Sequence, residues 1–132
     1  MDIRERDLST LLGQDEPQGG WSLFFLEAAG IAPLQARDIH VISVPPGAVR
    51  GNHIHRGSTE WLLVWGGRAR LLWVGGGSTK EFIIDGTRPR LFKVPPGIPH
   101  ALENMSEENV YVLAFADGER STTPFTLRNR RA

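Results

Sequence analysis

The chain has 132 residues and no cysteine. That excludes disulfides, thiolate metal ligands and thiol catalysis. Tyrosine is nearly absent too, with Tyr111 the single example. Net charge is missing, because fifteen Lys and Arg are balanced by fifteen Asp and Glu. No overall field draws this chain to nucleic acid or to an anionic membrane. There is no run of about twenty apolar residues, and the opening MDIRERDLS lacks the apolar centre of a signal peptide. A cytoplasmic location is the expectation. The short basic tail of Arg128, Arg130 and Arg131 reads as a solvated end. The length suits one domain with a sizeable core and is too short for two.

Histidine is scarce but concentrated. Three of the four histidines fall with one glutamate in two segments, GAVRGNHIHRGSTEWLLVWGG with His53, His55 and Glu60, and PPGIPHALEN with His100. Each segment is introduced by the same four letters, VPPG, at 44–47 and 94–97. On a strand, side chains two apart share a face, so His53 and His55 can reach one point while Ile54 turns away. Residues 56–59 read as a tight connection, and 60–65 alternate as a new strand with Glu60, Leu62 and Val64 on one face. A carboxylate on an apolar face is costly to bury unless it is paired or bound to a metal. An HxH pair alone is common on solvated strands; the added glutamate and a third histidine from a distant strand turn it into a candidate ligand set. Three imidazoles and a carboxylate suit one divalent transition metal such as Zn, Mn, Fe or Ni, and suit calcium or magnesium poorly.

Short strands are expected at 21–26, 38–44, 49–55, 60–65, 68–74, 80–84, 90–94, 99–104, 110–115 and 124–127. Gly66 and Gly67 read as a two-residue hairpin turn, and 75–77 as another loop. Leu8, Leu11 and Leu12 have helical spacing within 2–12, ahead of a loop at 13–20. The expected organisation is an N-terminal arm over 1–20 and one all-β domain, a sandwich or barrel, over 21–132. Trp61, Leu63 and Trp65 alternate with the inward set as a second apolar face. A homodimer is one way to cover it; the segment at 21–26 folding back within one subunit is the other.

The spacing carries a family resemblance. Gly47, His53, His55, Glu60 and Gly67 match the first cupin motif, and Pro95, Gly97, His100 and Asn104 match the second. One position departs, since Pro89 stands where a glycine is expected and the nearest glycine is Gly86. The resemblance covers roughly 38–117. It implies a small jelly-roll-like antiparallel barrel, a double-stranded β-helix, with a metal at its mouth.

Among cupins, the VRGNHIH run, the TEWLLV strand and the PPGIPHALEN turn look most like the keto-isomerases and epimerases of polysaccharide biosynthesis. That implies a nucleotide-linked 4-keto hexose as small-molecule substrate and proton removal beside its carbonyl. Some barrels of this kind use histidines as acid and base without metal; Glu60 favours the metal-dependent branch. On this reading the candidate base is Tyr111, or Glu60 if it is not a ligand, with His53 and His100 as acid and base if no metal binds. Arg50, Arg70 and Lys93 could hold a diphosphate, and Asn104 a turn or substrate contact. His40, in an alternating strand, is read as structural. Two alternatives stay open: an iron or manganese dioxygenase of a small chelating substrate, and a non-catalytic sugar- or metabolite-binding module.

Overall fold

The computed structural model describes residues 2–13, 19–35, 37–118, 122–124 and 127. Among the described residues, ten strands form two antiparallel sheets: β1 (Arg4–Arg6), β2 (Asp38–Val44), β3 (Val49–His55), β4 (Glu60–Trp65), β5 (Ala69–Gly75), β6 (Ser78–Ile84), β7 (Arg90–Val94), β8 (His100–Asn104), β9 (Val110–Ala116) and β10 (Thr122–Pro124). The first sheet runs β1-β7-β4-β9-β2 and the second β10-β3-β8-β5-β6. Their inner faces bury Val44, Leu62, Val64, Leu71, Ile84, Phe92, Leu102 and Val112 between them. Each such large side chain contributes about 1.5–3 kcal/mol by leaving water. No helix among the described residues is long and apolar enough to cross a membrane.

The N-terminal fifth of the chain differs from expectation. Residues 4–6 are not helical but form β1 against β7, with Arg4 opposite Lys93, so the arm is part of the first sheet. Helical geometry near the three leucines is limited to one turn, in which Leu11 and Leu12 N–H groups donate to the Leu8 carbonyl. In place of a strand at 21–26 there is a single bridge, Gly13 to Ser22, and a short helix α1 (Phe25–Ala29) closed by Gly30 at φ 73. A short apolar run satisfies both periodicities. Here Leu, Glu and Ala favour the helix, and a glycine free to go left-handed ends it.

That segment also answers the question posed by the second apolar face. Trp61, Leu63, Leu91 and Phe115 pack outward against Leu8, Ala28, Phe25 and Leu26 of the same chain, so this face needs no second subunit.

Two glycine turns exchange roles. Gly66 and Gly67 make no hairpin, because β4 pairs with β7 and β9 while β5 pairs with β6 and β8; the link crosses from one sheet to the other. The hairpin lies at Gly76 and Gly77, with φ of 60° and 81°, between Gly75 and Ser78, which pair directly. Where the second cupin motif departs at Pro89, Gly86 supplies the positive φ of that turn at 84°. The strand expected at 124–127 lies three-residue-wide at Thr122–Pro124; residues 14–18, 125–126 and the basic tail at Arg128, Arg130 and Arg131 lie outside the described residues.

Candidate metal centre

β3 carries an irregularity that sets the site. Gly51 lies opposite Ala101, but His53 lies opposite His100, so Asn52 is an extra residue. Gly51 and Asn52 take φ of 100° and 58°, the left-handed values that such a bulge requires. The inserted residue reverses the strand's alternation. Arg50 before it and His53 and His55 after it all line the same cavity, while Asn52 turns outward and accepts a hydrogen bond from Leu127 N–H at 3.3 Å.

Glu60 opens β4 in the opposite sheet, and His100 opens β8. The link between His55 and Glu60 is pinned at both edges: Thr59 N–H donates to Asp117 Oδ1 at 2.9 Å, and Asp117 N–H donates back to the Thr59 carbonyl at 3.2 Å. Gly97 N–H, in the second VPPG turn, donates to the His55 carbonyl at 2.8 Å. The two similar segments are thereby tied to each other beside the ligands they carry.

The four side chains converge, with one ligand atom from each lying within 4.8 Å of all the others. His53 Nε2 and His55 Nε2 are 3.0 Å apart. His55 Nε2 lies 3.3 Å from Glu60 Oε2, and His100 Nε2 lies 3.3 Å from Glu60 Oε1. Glu60 and His100 are each only 4% exposed. His100 Nδ1–H donates to the Ile98 carbonyl at 2.9 Å, an oxygen that can only accept. In the neutral ring this leaves Nε2 as a lone pair facing a carboxylate oxygen, and the 3.3 Å contact becomes a hydrogen bond only when a proton is added. Acceptors that meet acceptors in a buried place are reconciled by a cation or by an added proton.

Electrostatics keep the donors unprotonated. Burial, reinforced by charge on His100 and His55, pushes the His53 imidazole down to about 4. Burial also lowers His55, against the opposing pull of Glu60. At Glu60 burial raises the carboxyl, but the hydrogen bond with His100 and the charges of the three imidazoles outweigh it and hold it below its usual value. His53 and His55 are thereby biased toward the neutral imidazole and Glu60 toward the carboxylate. Three imidazoles and a carboxylate gathered so that one donor atom from each lies within 4.8 Å of the others make a donor set that fits a divalent transition metal.

The cluster lies at the wall of a cavity of about 220 Å³. Ile42, Val44, Leu62, Leu71, Leu102 and Val112 make its floor, and Asp38, His40 and Arg50 line it as well. Of the substrate-binding candidates, only Arg50 reaches it. Arg70 is on the outer face of the second sheet, paired with Glu103 at 2.7 Å and Glu81 at 3.2 Å. Lys93 is on the outer face of the first sheet, with its Nζ 6.0 Å from the Trp61 ring. Asn104 is fully buried, and its amide is spent on the turn that follows. Nδ2–H donates to the Val44 and Glu108 carbonyls, and Oδ1 accepts from Ser106 N–H and Oγ–H. Tyr111, the expected base, is also outside the cavity: it shares the outer face of β9 with Leu113 and Phe115 and stacks on Trp65 at 5.9 Å, with the sheet between it and the cavity. His40 and Asp38, by contrast, belong to the cavity. The alternation of β2 already placed them on one face with Ile42 and Val44, and that was the available signal.

Comparison with known proteins bears on the family and the fold. A family model described as the polysaccharide biosynthesis C-terminal domain matches residues 25–122. Oxalate decarboxylase OxdC of Bacillus subtilis (strain 168) is 34% identical over 84 residues, which are 61% of this chain and 21% of that protein. Capsular polysaccharide assembling protein CapF of Staphylococcus aureus superposes with a TM-score of 0.62 at 20% identity, over 68% of this chain and 28% of its own. The chain thus spans between a fifth and a third of these relatives. A variant of the 3,4-ketoisomerase QdtA from Thermoanaerobacterium thermosaccharolyticum, solved in complex with TDP-4-keto-6-deoxyglucose, superposes over 91% of this chain and 81% of its own, with a TM-score of 0.65 and 12% identity. With two antiparallel sheets, both cupin motifs and the family match across most of its length, the chain is a cupin and belongs to the polysaccharide biosynthesis C-terminal domain family.

Proposed function

We propose that this cupin is a metal-dependent isomerase or epimerase of a nucleotide-linked 4-keto hexose. The observation that carries the proposal is the convergence of His53, His55, Glu60 and His100 on one point in the cavity wall. One divalent transition ion, Zn, Mn, Fe or Ni, would be held by those four residues. When bound it supplies a Lewis acid that stabilises charge developing on the sugar's carbonyl oxygen as the neighbouring C–H bond breaks. The protein does the rest. Arg50, at the cavity, offers a guanidinium to the anionic diphosphate. The apolar floor takes the deoxy face of a sugar ring and keeps water from the reacting carbons. The likeness to a 3,4-ketoisomerase bound to a keto-sugar nucleotide supports the substrate class.

The test is solvent exchange. The full chain, loaded in turn with each of the four ions, is incubated with TDP-4-keto-6-deoxyglucose in D2O and followed by proton NMR. The expected result is metal-dependent loss of the proton signal beside the keto group, abolished in Glu60→Gln; no exchange with any ion overturns the proposal.

A second reading is metal-dependent chemistry on a small chelating acid or diketone. The observations that favour it are the largely apolar floor and the 34% identity to an oxalate decarboxylase. Oxygen uptake or CO2 release with such substrates, and no exchange with the sugar, would select it.

A homodimer belongs to the proposal on a new ground. β2 is an edge strand of seven residues with Ile39 and Val41 exposed by 55% and 64%. Such a strand pairs antiparallel with its own copy about a two-fold axis. Light scattering that gives a monomer would overturn this part.

A further inference from the structure

The chemistry proposed above needs a group that takes a proton from carbon and returns it, and the three clustered histidines are committed to the ion. Every cavity-lining side chain can be assessed for that task. The floor residues are aliphatic. Arg50 holds its protons at any working pH. Tyr111 is on the far side of the sheet. What is left is β2, where Asp38 and His40 face the cavity from a strand two places across the first sheet from that of Glu60.

The register shows how the space between is kept open. Asp38 is opposite Ala116, and Ala116 is opposite Glu60. One row on, His40 is opposite Ala114, and Ala114 is opposite Leu62. Two inter-strand steps put β2 about 10 Å from β4, and the strand between them contributes only methyl groups in these rows. A reacting sugar carbon can occupy that gap, with the ligand cluster on one side and the β2 side chains on the other. His40 lines the same cavity as His53, His55, Glu60 and His100, yet it is not one of the converging ligands. It is exposed to the cavity and open to solvent, as a group that exchanges its proton with water has to be.

We propose that His40 is the proton-transferring residue of this site; the inference rests on the keto-sugar reading above. Its imidazole takes the proton from the carbon next to the carbonyl, and the C–H electron pair becomes the C=C bond of an enediolate as the carbonyl becomes C–O⁻. For isomerisation the same imidazolium returns the proton to the former carbonyl carbon, and the hydroxyl proton of the first carbon shifts to leave the new ketone there. For epimerisation the proton comes back to the same carbon on the other face. No oxidant or reductant is needed in either case.

The experiment compares wild type, His40→Gln and His40→Ala, each loaded with zinc, and with whichever of manganese, iron or nickel supports exchange best. Metal content and melting temperature should match across all three, which separates His40 from the ligands. Deuterium wash-in to TDP-4-keto-6-deoxyglucose should fall about 10²–10⁴-fold in both variants, and added imidazole should restore part of it in His40→Ala. Diethyl pyrocarbonate should label His40 in the metal-loaded wild type, and the nucleotide sugar should protect it. Wash-in within threefold of wild type in both variants, or no protection of His40, overturns this inference alone. Absence of wash-in in the wild type overturns the keto-sugar reading and the inference together.

Discussion

Asn104→Ala should cost the protein about 3 kcal/mol of stability while leaving its metal site intact. The magnitude comes from four hydrogen bonds made by one fully buried amide: to the Val44 carbonyl at 2.9 Å, the Glu108 carbonyl at 2.6 Å, the Ser106 N–H at 2.8 Å and the Ser106 hydroxyl at 2.7 Å. Each contributes roughly 1 kcal/mol net, and a buried partner left alone costs more than the bond was worth. Ser106 is part-exposed and can turn to water, which returns part of the sum. For a domain of this size the loss corresponds to a fall of roughly 10–15 °C in melting temperature. Asn104→Asp should be no better, since it keeps the acceptor for Ser106 but sets a carboxylate oxygen against two carbonyls. Urea denaturation followed by tryptophan fluorescence gives the free energy, and elemental analysis of the folded variant gives the metal. A loss under about 1 kcal/mol, or a variant that is stable but loses metal or sugar binding, would refute the assignment of Asn104 to the turn.

Lowering the pH should weaken the metal-free protein. His53 is held down at about 4 against an ordinary value of 6.5, and His55 and Glu60 are lowered as well. Between pH 6.5 and 4 the unfolded chain therefore binds more protons than the folded one, and stability falls as pH falls through that window. The denaturation midpoint should drop from pH 7 to pH 5, less so in His53→Gln; a flat profile contradicts the electrostatics described. Arg70→Met should cost about 3 kcal/mol by removing the guanidinium from its buried pair with Glu103, with metal content unchanged; a variant as stable as wild type would show that the pair is dispensable. Ala116→Leu should narrow the gap between Glu60 and Asp38, keeping the metal but weakening nucleotide-sugar binding at least tenfold by calorimetry, and unchanged affinity would place the sugar elsewhere.

Strand positions were legible where alternation was long and flanked by Pro or Gly, as at β2, β3, β4 and β7. The two cupin motifs brought together the four converging residues, because i and i+2 spacing and the VPPG turns fix local direction. What failed was of two kinds. The run at 21–29 is apolar apart from Ser22 and Glu27, so neither period stands out, and packing on Trp61 and Phe115 settles its form. Residue type alone points to Arg70, Lys93 and Tyr111, and it does not say which face of the strand each takes. Counting from inward neighbours such as Leu71, Phe92 and Val112 puts all three outside. The bulge had its own signal in Gly51-Asn52, two residues that tolerate left-handed backbone in the middle of a strand. Only with that insertion do Arg50 and His53 share a cavity.

The central claim is the metal, and plasma mass spectrometry of tag-free protein tests it most directly, on wild type beside His53→Ala and His100→Ala. The account predicts close to one equivalent of a single transition metal in the wild type and little in either variant. Little metal in the wild type even after soaking with zinc, manganese, iron and nickel, or full metal in both variants, would contradict it and leave Glu60 and the three histidines to meet through shared protons.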